Sequence, residues 1–441
     1  MFRRFKGLPR RVYIAGSLFC ALFLCACAPY IRTESSLRAF LTQGRYRQAA
    51  SFLDSNKKSY GRNNLLLYLL NKGGILHLSG EYRQSIDIFE KAKQEYDRLY
   101  TKSATGIAGT WLINEYAAPY RGEDFERVMI NIFQALNYSL LDNIEEALVE
   151  ARDVDLKLRL INNRYGPNEK NAYKEDAFAR FLMGILYGAL KSNDGYNDAY
   201  ISYSKALEIY RDDYAQNYNL RPPSLLKENL LTAAEFMEKP ARKTQKAEVY
   251  LIQYNGVLPL KTETTIPIPL PDGYIVSLAF PQYKKREPLI QRSRFEAKNN
   301  QGASFEAETE LAQDIGAIAI KNLENRKARV IAKAAASAGA KYFAEKEIEK
   351  KVKKEYGENS GLGFRVAGSL FNLITNKADS RSWQILPSQI RICRLLLEPG
   401  EYNLAVINSD SSGNSLGRQE IGSVRLSAGE KKFCIARGIG E

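Results

Sequence analysis

An α+β fold, helices first and antiparallel strands after, is what the sequence predicts, and three observations predict it. GRYRQAASFL at 44–53 recurs without gaps as GEYRQSIDIF at 80–89, a period of 36 residues against the 34 of a tetratricopeptide unit. From Glu248 the apolar spacing changes to β-branched and aromatic runs bounded by Asn-Gly and Asp-Gly turns. Between those runs lies ARVIAKAAASAGAKYFAEKEIEKKVKKEY, a stretch of high helix propensity. The expected architecture is therefore an N-terminal tetratricopeptide-like solenoid, then a β domain with a helical-hairpin insertion.

The chain opens on a leader, assigned to residues 1–26. Arg3, Arg4, Lys6, Arg10 and Arg11 form a positive region, and Val12 to Leu24 an apolar core too short for a comfortable membrane span. Its end, Leu24-Cys25-Ala26-Cys27, resembles the lipobox of bacterial lipoproteins, which makes Cys27 the expected lipid-bearing residue. Only a thiol can be alkylated by the diacylglycerol donor; cleavage then frees an amine for a third acyl chain, and several chains anchor firmly where one does not. The competing reading is an anchor helix with chance cysteines. Cys20 and Cys25 leave with the leader, so their spacing is not metal-ligand chemistry. Ala28, where an Asp would signal retention, points to the outer membrane and a periplasm-facing protein.

Residues 27–240 are read as the helical domain. Gly44 and Gly80 are expected to turn between the first and second helix of each unit, Tyr46 and Tyr82 to pack back on the first, and the small Ala49 and Ser85 to permit close helix contact. Weaker copies begin at Asp142 and Asp194, with Ala147 and Ala199 in the small-residue place, behind the helical runs VMINIFQALNYSLL and FARFLMGILYGALK. Uneven spacing implies insertions, around Gly106–Gly122 and Asn162–Lys174. First helices of such units line a concave groove that carries proteins or peptides. Helical periodicity places Asn71, Lys72, Asn131 and Gln134 on that exposed inner face as partner-binding candidates. An irregular bundle is the plainer alternative. His77, inside LLLYLLNKGGILHLSG, reads as a core or groove-edge residue.

Pro222-Pro223 and Lys239-Pro240 break helices, and the charged run to Lys246 reads as a linker into the β-rich domain at 241–441. RICRLLLEPGEYNLAVI and SVRLSAGEKKFCIA read as hairpins turning at Pro399-Gly400 and Ala428-Gly429, and a small antiparallel sheet or sandwich follows. The insertion is placed at about 307–375, with Leu311, Ile315 and Ile318 at its start, Ala334, Ala338 and Tyr342 as a small-residue stripe, and GLGFRVAGSLFNLI folding back. Cys393 and Cys434, the two thiols left besides the anchor, fall on neighbouring predicted strands and invite a disulfide in an oxidising compartment.

The formal net charge of +14 includes the five leader cations, which leaves +9 on the mature chain. That balance suits anionic envelope neighbours, peptidoglycan or another anionic glycan among them, rather than nucleic acid; a merely soluble surface explains it equally well. A single His excludes a multi-histidine metal site and a His-based triad built elsewhere. There is no Gly-rich phosphate loop, no Gly-x-Ser-x-Gly and no Cys/His cluster, so no cofactor, metal or catalytic residue is assigned and an enzyme is not expected.

EDFERVMINIFQALNYSLLDNIEEALVEARDVD, IAIKNLENRKARVIAKA and ADSRSWQILPSQIRICRLLLEPGEYNL together resemble a functionally uncharacterised family of bacterial tetratricopeptide lipoproteins. The likeness covers most of the mature chain, and Arg381-Ser382-Trp383 to Leu386-Pro387 is its most specific piece. It implies a location and no reaction, so Arg381 and Trp383 are candidates for a structural corner or a partner contact. The expected function is a lipid-anchored periplasmic scaffold that holds envelope proteins in its groove, in support of cell-wall synthesis or export. The alternatives are a glycan-binding module and, further off, a cell-wall glycan hydrolase working through paired carboxylates.

Overall fold

A computed structural model describes residues 33–103, 118–163, 172–238, 245–357 and 377–439. Cys27 with its leader, the stretch GLGFRVAGSLFNLI and most of both expected insertions in the helical half lie outside the described residues.

Helices come first and sheets after, as the apolar periods predict. A helix over 33–42 (α1) precedes α2 (Tyr46–Ser55) and a short turn α3 (Lys57–Tyr60). Three antiparallel pairs follow: α4 (Leu65–Leu78) with α5 (Tyr82–Ser103), α6 (Asp124–Leu140) with α7 (Ile144–Asn162), and α8 (Ala177–Ala189) with α9 (Asn193–Ile209). A π turn at Tyr210–Tyr214, α10 (Ala215–Tyr218) and α11 (Ser224–Glu238) close the layer.

One turn recurs between paired helices. Gly44, Gly80 and Asp142 stand in the left-handed region at φ 66°, 83° and 58°. Behind each, the next N–H reaches back five residues: Arg45 to the Phe40 carbonyl, Glu81 to Leu76, Asn143 to Tyr138, each at 2.9 Å. This is the helix stop that glycine favours; Asp142 tolerates it at some cost in strain. The fourth copy enters differently, since the left-handed residue is Lys191 and α9 begins at Asn193, one residue before the expected Asp194 copy. Ala49, Ser85, Ala147 and Ala199 are all buried, and a Cβ on Gly73 would stand 2.6 Å from the Phe89 ring. Backbones approach closely only because these places are small.

The β half forms two four-stranded sheets and a ribbon. The inner sheet has the order β10 (Lys431–Gly438), β1 (Ala247–Asn255), β7 (Gln389–Leu397), β6 (Glu310–Asp314). The outer sheet runs β5 (Ser304–Glu308), β4 (Arg292–Asn299), β8 (Gly400–Ser409), β9 (Ser415–Leu426). β2 (Leu260–Pro269) and β3 (Ile275–Lys284) pair only with each other.

Two expected hairpins are not hairpins. Pro399-Gly400 carries the chain from β7 in the inner sheet to β8 in the outer, and Ala428-Gly429 carries it back from β9 to β10. A tight turn residue marks reversal equally well within a sheet or between two. The sheets face each other over Val249, Leu251, Cys393, Leu395, Phe295 and Val406, so the domain is a sandwich. It is not wholly antiparallel, because β10 lies parallel to β1.

The same registers remove the disulfide. Leu251 pairs with Cys434 on one side and with Cys393 on the other, so β1 stands between the two cysteines. Two strand spacings put them about 9.5 Å apart, beyond the reach of a bridge, and both are buried free thiols.

The insertion is one helix in the described residues, α12 (Ile315–Tyr356), and Leu311 belongs to β6 instead. Its 42 residues measure about 63 Å. Ile315, Ile318, Ala319 and Leu323 join the core. Further out the helix leans on the β2–β3 ribbon, where Tyr342 and Lys346 both bond Asp272, at 2.5 and 2.7 Å, and Tyr274 bonds Glu349 at 2.7 Å. Among the described residues no helix is long and apolar enough to cross a membrane.

Candidate functional site at the helix–sheet junction

The first helices of the pairs, α4, α6 and α8, are buried nearly all round, polar residues included, so each is covered on every side. Second helices cover one side. The inner sheet covers the other: Tyr250, Ile252, Tyr254, Ile390, Ile392 and Phe433 merge with the helical core in one cluster. β1 is consequently buried on both faces, one toward helices and one toward the outer sheet.

Sequence candidates meet at this junction, but not as a binding surface. Asn71, Lys72, Asn131 and Gln134 are buried rather than exposed. Asn71 donates to Glu34 at 3.1 Å, Lys72 to Asp54 at 2.6 Å, Asn131 to Glu150 at 2.7 Å and Gln134 to Glu90 at 2.9 Å. Each ties a first helix to a neighbouring helix. Helical periodicity finds such a polar stripe but cannot tell solvent from a second helix carrying matching acids.

Trp383 is fully buried, its ring 5.7 Å from Phe89 and 5.5 Å from Phe133, and the Gly74 backbone lies against it and Ile385. Arg381 is buried too; its guanidinium donates to Asp379, to Asn64 at 2.8 Å and to the Ala118 carbonyl at 3.0 Å, and sits over the Tyr120 ring. Both are structural corners. His77 is fully buried. Its Nε2 lies 2.8 Å from the Tyr254 hydroxyl and its Nδ1 2.7 Å from Asn137 Oδ1, while Asn137 donates to Ser85 and Ser85 to the Gly73 carbonyl. Because the Asn137 oxygen only accepts, the ring carries its proton on Nδ1 and accepts from Tyr254. Burial pushes His77 down to about 4, so it is neutral at ordinary pH.

The strongest charge arrangement was not singled out from the sequence. At the start of α6, Glu123 and Glu126 form a reciprocal cap. Glu123 meets Lys261 of β2 at 2.6 Å and Arg326 of α12. Burial alone would raise its pKa, but these two cations overcome that and hold it well below the usual range. Glu126 accepts from the Trp383 N–H at 2.7 Å, the Tyr120 hydroxyl at 2.6 Å and the Glu123 N–H at 2.9 Å, and burial together with the Glu123 charge pushes it up to about 7. Split carboxylates of this kind serve acid–base catalysis in other proteins. Here both Glu126 oxygens are taken by protein donors and the residue is 0 % exposed, so a glycosidic oxygen has no approach. What the pair can do is latch helices, ribbon, α12 and the Trp383 segment together. The signal was present as Glu-x-x-Glu in EDFERVM.

Outer faces differ. On α7, Val149, Leu156 and Leu160 are 54 %, 45 % and 43 % exposed, and their spacing of seven and four residues sets them in one stripe. Among the described residues no group of His, Cys, Asp or Glu could hold a metal ion. Compared with known proteins, the chain matches no family model and no curated protein.

Proposed function

We propose that the protein is a lipid-anchored scaffold of the bacterial envelope, attached at Cys27 to the outer membrane, facing the periplasm, with tetratricopeptide-like helix pairs that bind envelope proteins of the cell-wall or export machinery. The lipobox and the family resemblance support the anchor; the threefold recurrence of one helix stop supports the repeat. The observation that carries the scaffold reading is the apolar stripe Val149–Leu156–Leu160 on a helix whose inner side is already packed. Partners therefore meet the outer helices, and the groove is the sheet's own seat.

The test compares the intact protein with a Leu156→Lys, Leu160→Glu variant in crosslinked envelopes. The reading requires a defined envelope protein recovered with the first and lost with the second at unchanged melting temperature; equal recovery rejects the stripe. Palmitate-analogue labelling of Cys27→Ser tests the anchor, and undiminished label rejects it.

One feature bears on the glycan-binding reading. A cleft between α9, α11 and the inner sheet has stacked Tyr196 and Phe236, ring centroids 4.4 Å apart, beside Lys191 and Lys431. Its volume of about 30 Å³ admits a water or two, not a sugar ring, so this cleft does not serve that reading.

A further inference from the structure

α1 and α2 run antiparallel about the Gly44 turn, so the start of α1 meets the chain just beyond α2. Thr33 Oγ1 lies 3.0 Å from Ser59 Oγ, and the Tyr60 hydroxyl donates to Glu34 at 2.5 Å. Ser59 and Tyr60 belong to α3, whose first two residues are Lys57 and Lys58, and Arg62 follows it closely. All three cations are exposed. Among the described residues none of them meets an acid; Lys57 lies over the Tyr68 ring, 5.3 Å from its centre.

Acids near them are engaged elsewhere. Glu34 is buried and also accepts from Asn71 at 3.1 Å. Asp54, a turn before Lys58, meets Lys72 at 2.6 Å and accepts from Tyr68 at 2.9 Å. Asp379 is held by Arg381, which reaches Asn64 at 2.8 Å. From Thr33 to Arg62 the exposed charged residues are Arg45, Arg47, Lys57, Lys58 and Arg62 against the one acid Asp54. That surplus pairs with no acid in the described fold, and it suits an anionic surface outside it.

We propose that Lys57, Lys58 and Arg62 form a docking face for the head groups of anionic phospholipid, which sets the start of α1 on the bilayer. The occupant follows from where the chain leaves this face. Six residues from Cys27 to Thr33 reach at most about 20 Å, so acyl chains on Cys27 hold these cations next to lipid. That orientation rests on the anchor reading; the affinity for anionic lipid does not. A tether alone holds the protein without orienting it. The cations choose the end that faces the lipid, because attraction to a charged surface fades within about 8 Å in physiological salt. Arg45 and Arg47 stand at the other end of α2, about 15 Å away.

The experiment uses the full mature chain carrying Cys27→Ser, so that no acyl chain contributes, and reads flotation with phosphatidylcholine vesicles made with and without phosphatidylglycerol. The chain should float with the anionic vesicles, less so in rising sodium chloride, and not with phosphatidylcholine alone. Lys57→Gln, Lys58→Gln, Arg62→Gln together should weaken binding about a hundredfold, about fivefold for each cation. Arg45→Gln with Arg47→Gln removes two charges at the far end and should change binding less than about twofold. All five residues are exposed, so both variants should melt with the parent chain. No binding to anionic vesicles, equal binding to both kinds, an undiminished triple variant, or as large a loss in the Arg45, Arg47 variant overturns the face. Palmitate labelling reads the anchor separately: undiminished label in Cys27→Ser rejects the anchor and leaves the vesicle result standing, while lost label without vesicle binding rejects the face alone.

Discussion

The inner and outer faces of the helix layer are built from the same repeat yet meet opposite surroundings. Inner helices α4 and α6 bury nearly every side chain, polar ones included, beneath a sheet the same chain supplies. Outer helix α7 leaves leucines and a valine in solvent. The difference teaches that a repeat fixes helix pairing without fixing which side is free; that is settled by what the rest of the chain lays upon it.

Trp383→Ala should break the inner face most severely. Removing an indole that touches Phe89 and Phe133 leaves a cavity in the shared core and costs about 3–5 kcal/mol, measured by denaturant unfolding. A smaller break sharpens the end of that face, where Glu34 of α1 meets Asn71 and Tyr60. Burial raises Glu34 to about 7 from its ordinary 4.5, despite the hydrogen bond from Tyr60. The folded state therefore favours the neutral acid, and its stability contribution is present below pH 4.5 and lost as pH rises to about 7. Glu34→Gln keeps an acceptor for Tyr60 and Asn71 and cannot ionise, so its stability relative to the wild type should climb by up to about 3 kcal/mol across that window and stay level above it. Chemical denaturation at several pH values reads the difference.

Ala49→Leu should overpack the α2–α4 contact and cost about 1–3 kcal/mol, lowering the melting temperature. The stripe variant Leu156→Lys, Leu160→Glu should move stability least, within about 0.5 kcal/mol per site, while abolishing partner recovery. Equal stability losses on both faces would erase the contrast between them.

Local chemistry made much of the fold legible. Gly44 and Gly80 announce the stops, Ala49 and Ser85 the close contacts, Pro222-Pro223 the break before α11, and the shift to β spacing the change from helices to strands at Ala247. What was not legible depends on partners distant in sequence. β10 next to β1 in parallel, and β1 standing between Cys393 and Cys434, follow from strand order, which turn residues do not encode. The candidates Asn71, Lys72, Asn131 and Gln134 failed as surface residues because their acidic partners on neighbouring helices turn a polar stripe into an interior one. The burial of Arg437 in β10 gave no sign in the sequence, since a lone Arg in a strand reads as a solvent-facing residue until the elements around it are known.

Hydrogen exchange on the intact mature chain tests the self-filled groove most directly. If α4, α6 and α8 share one core with β1, their slowest amides and those of β1 should open together, with one common free energy that Trp383→Ala lowers in both. Helical amides that exchange through a separate, easier opening while β1 keeps its protection would contradict the account.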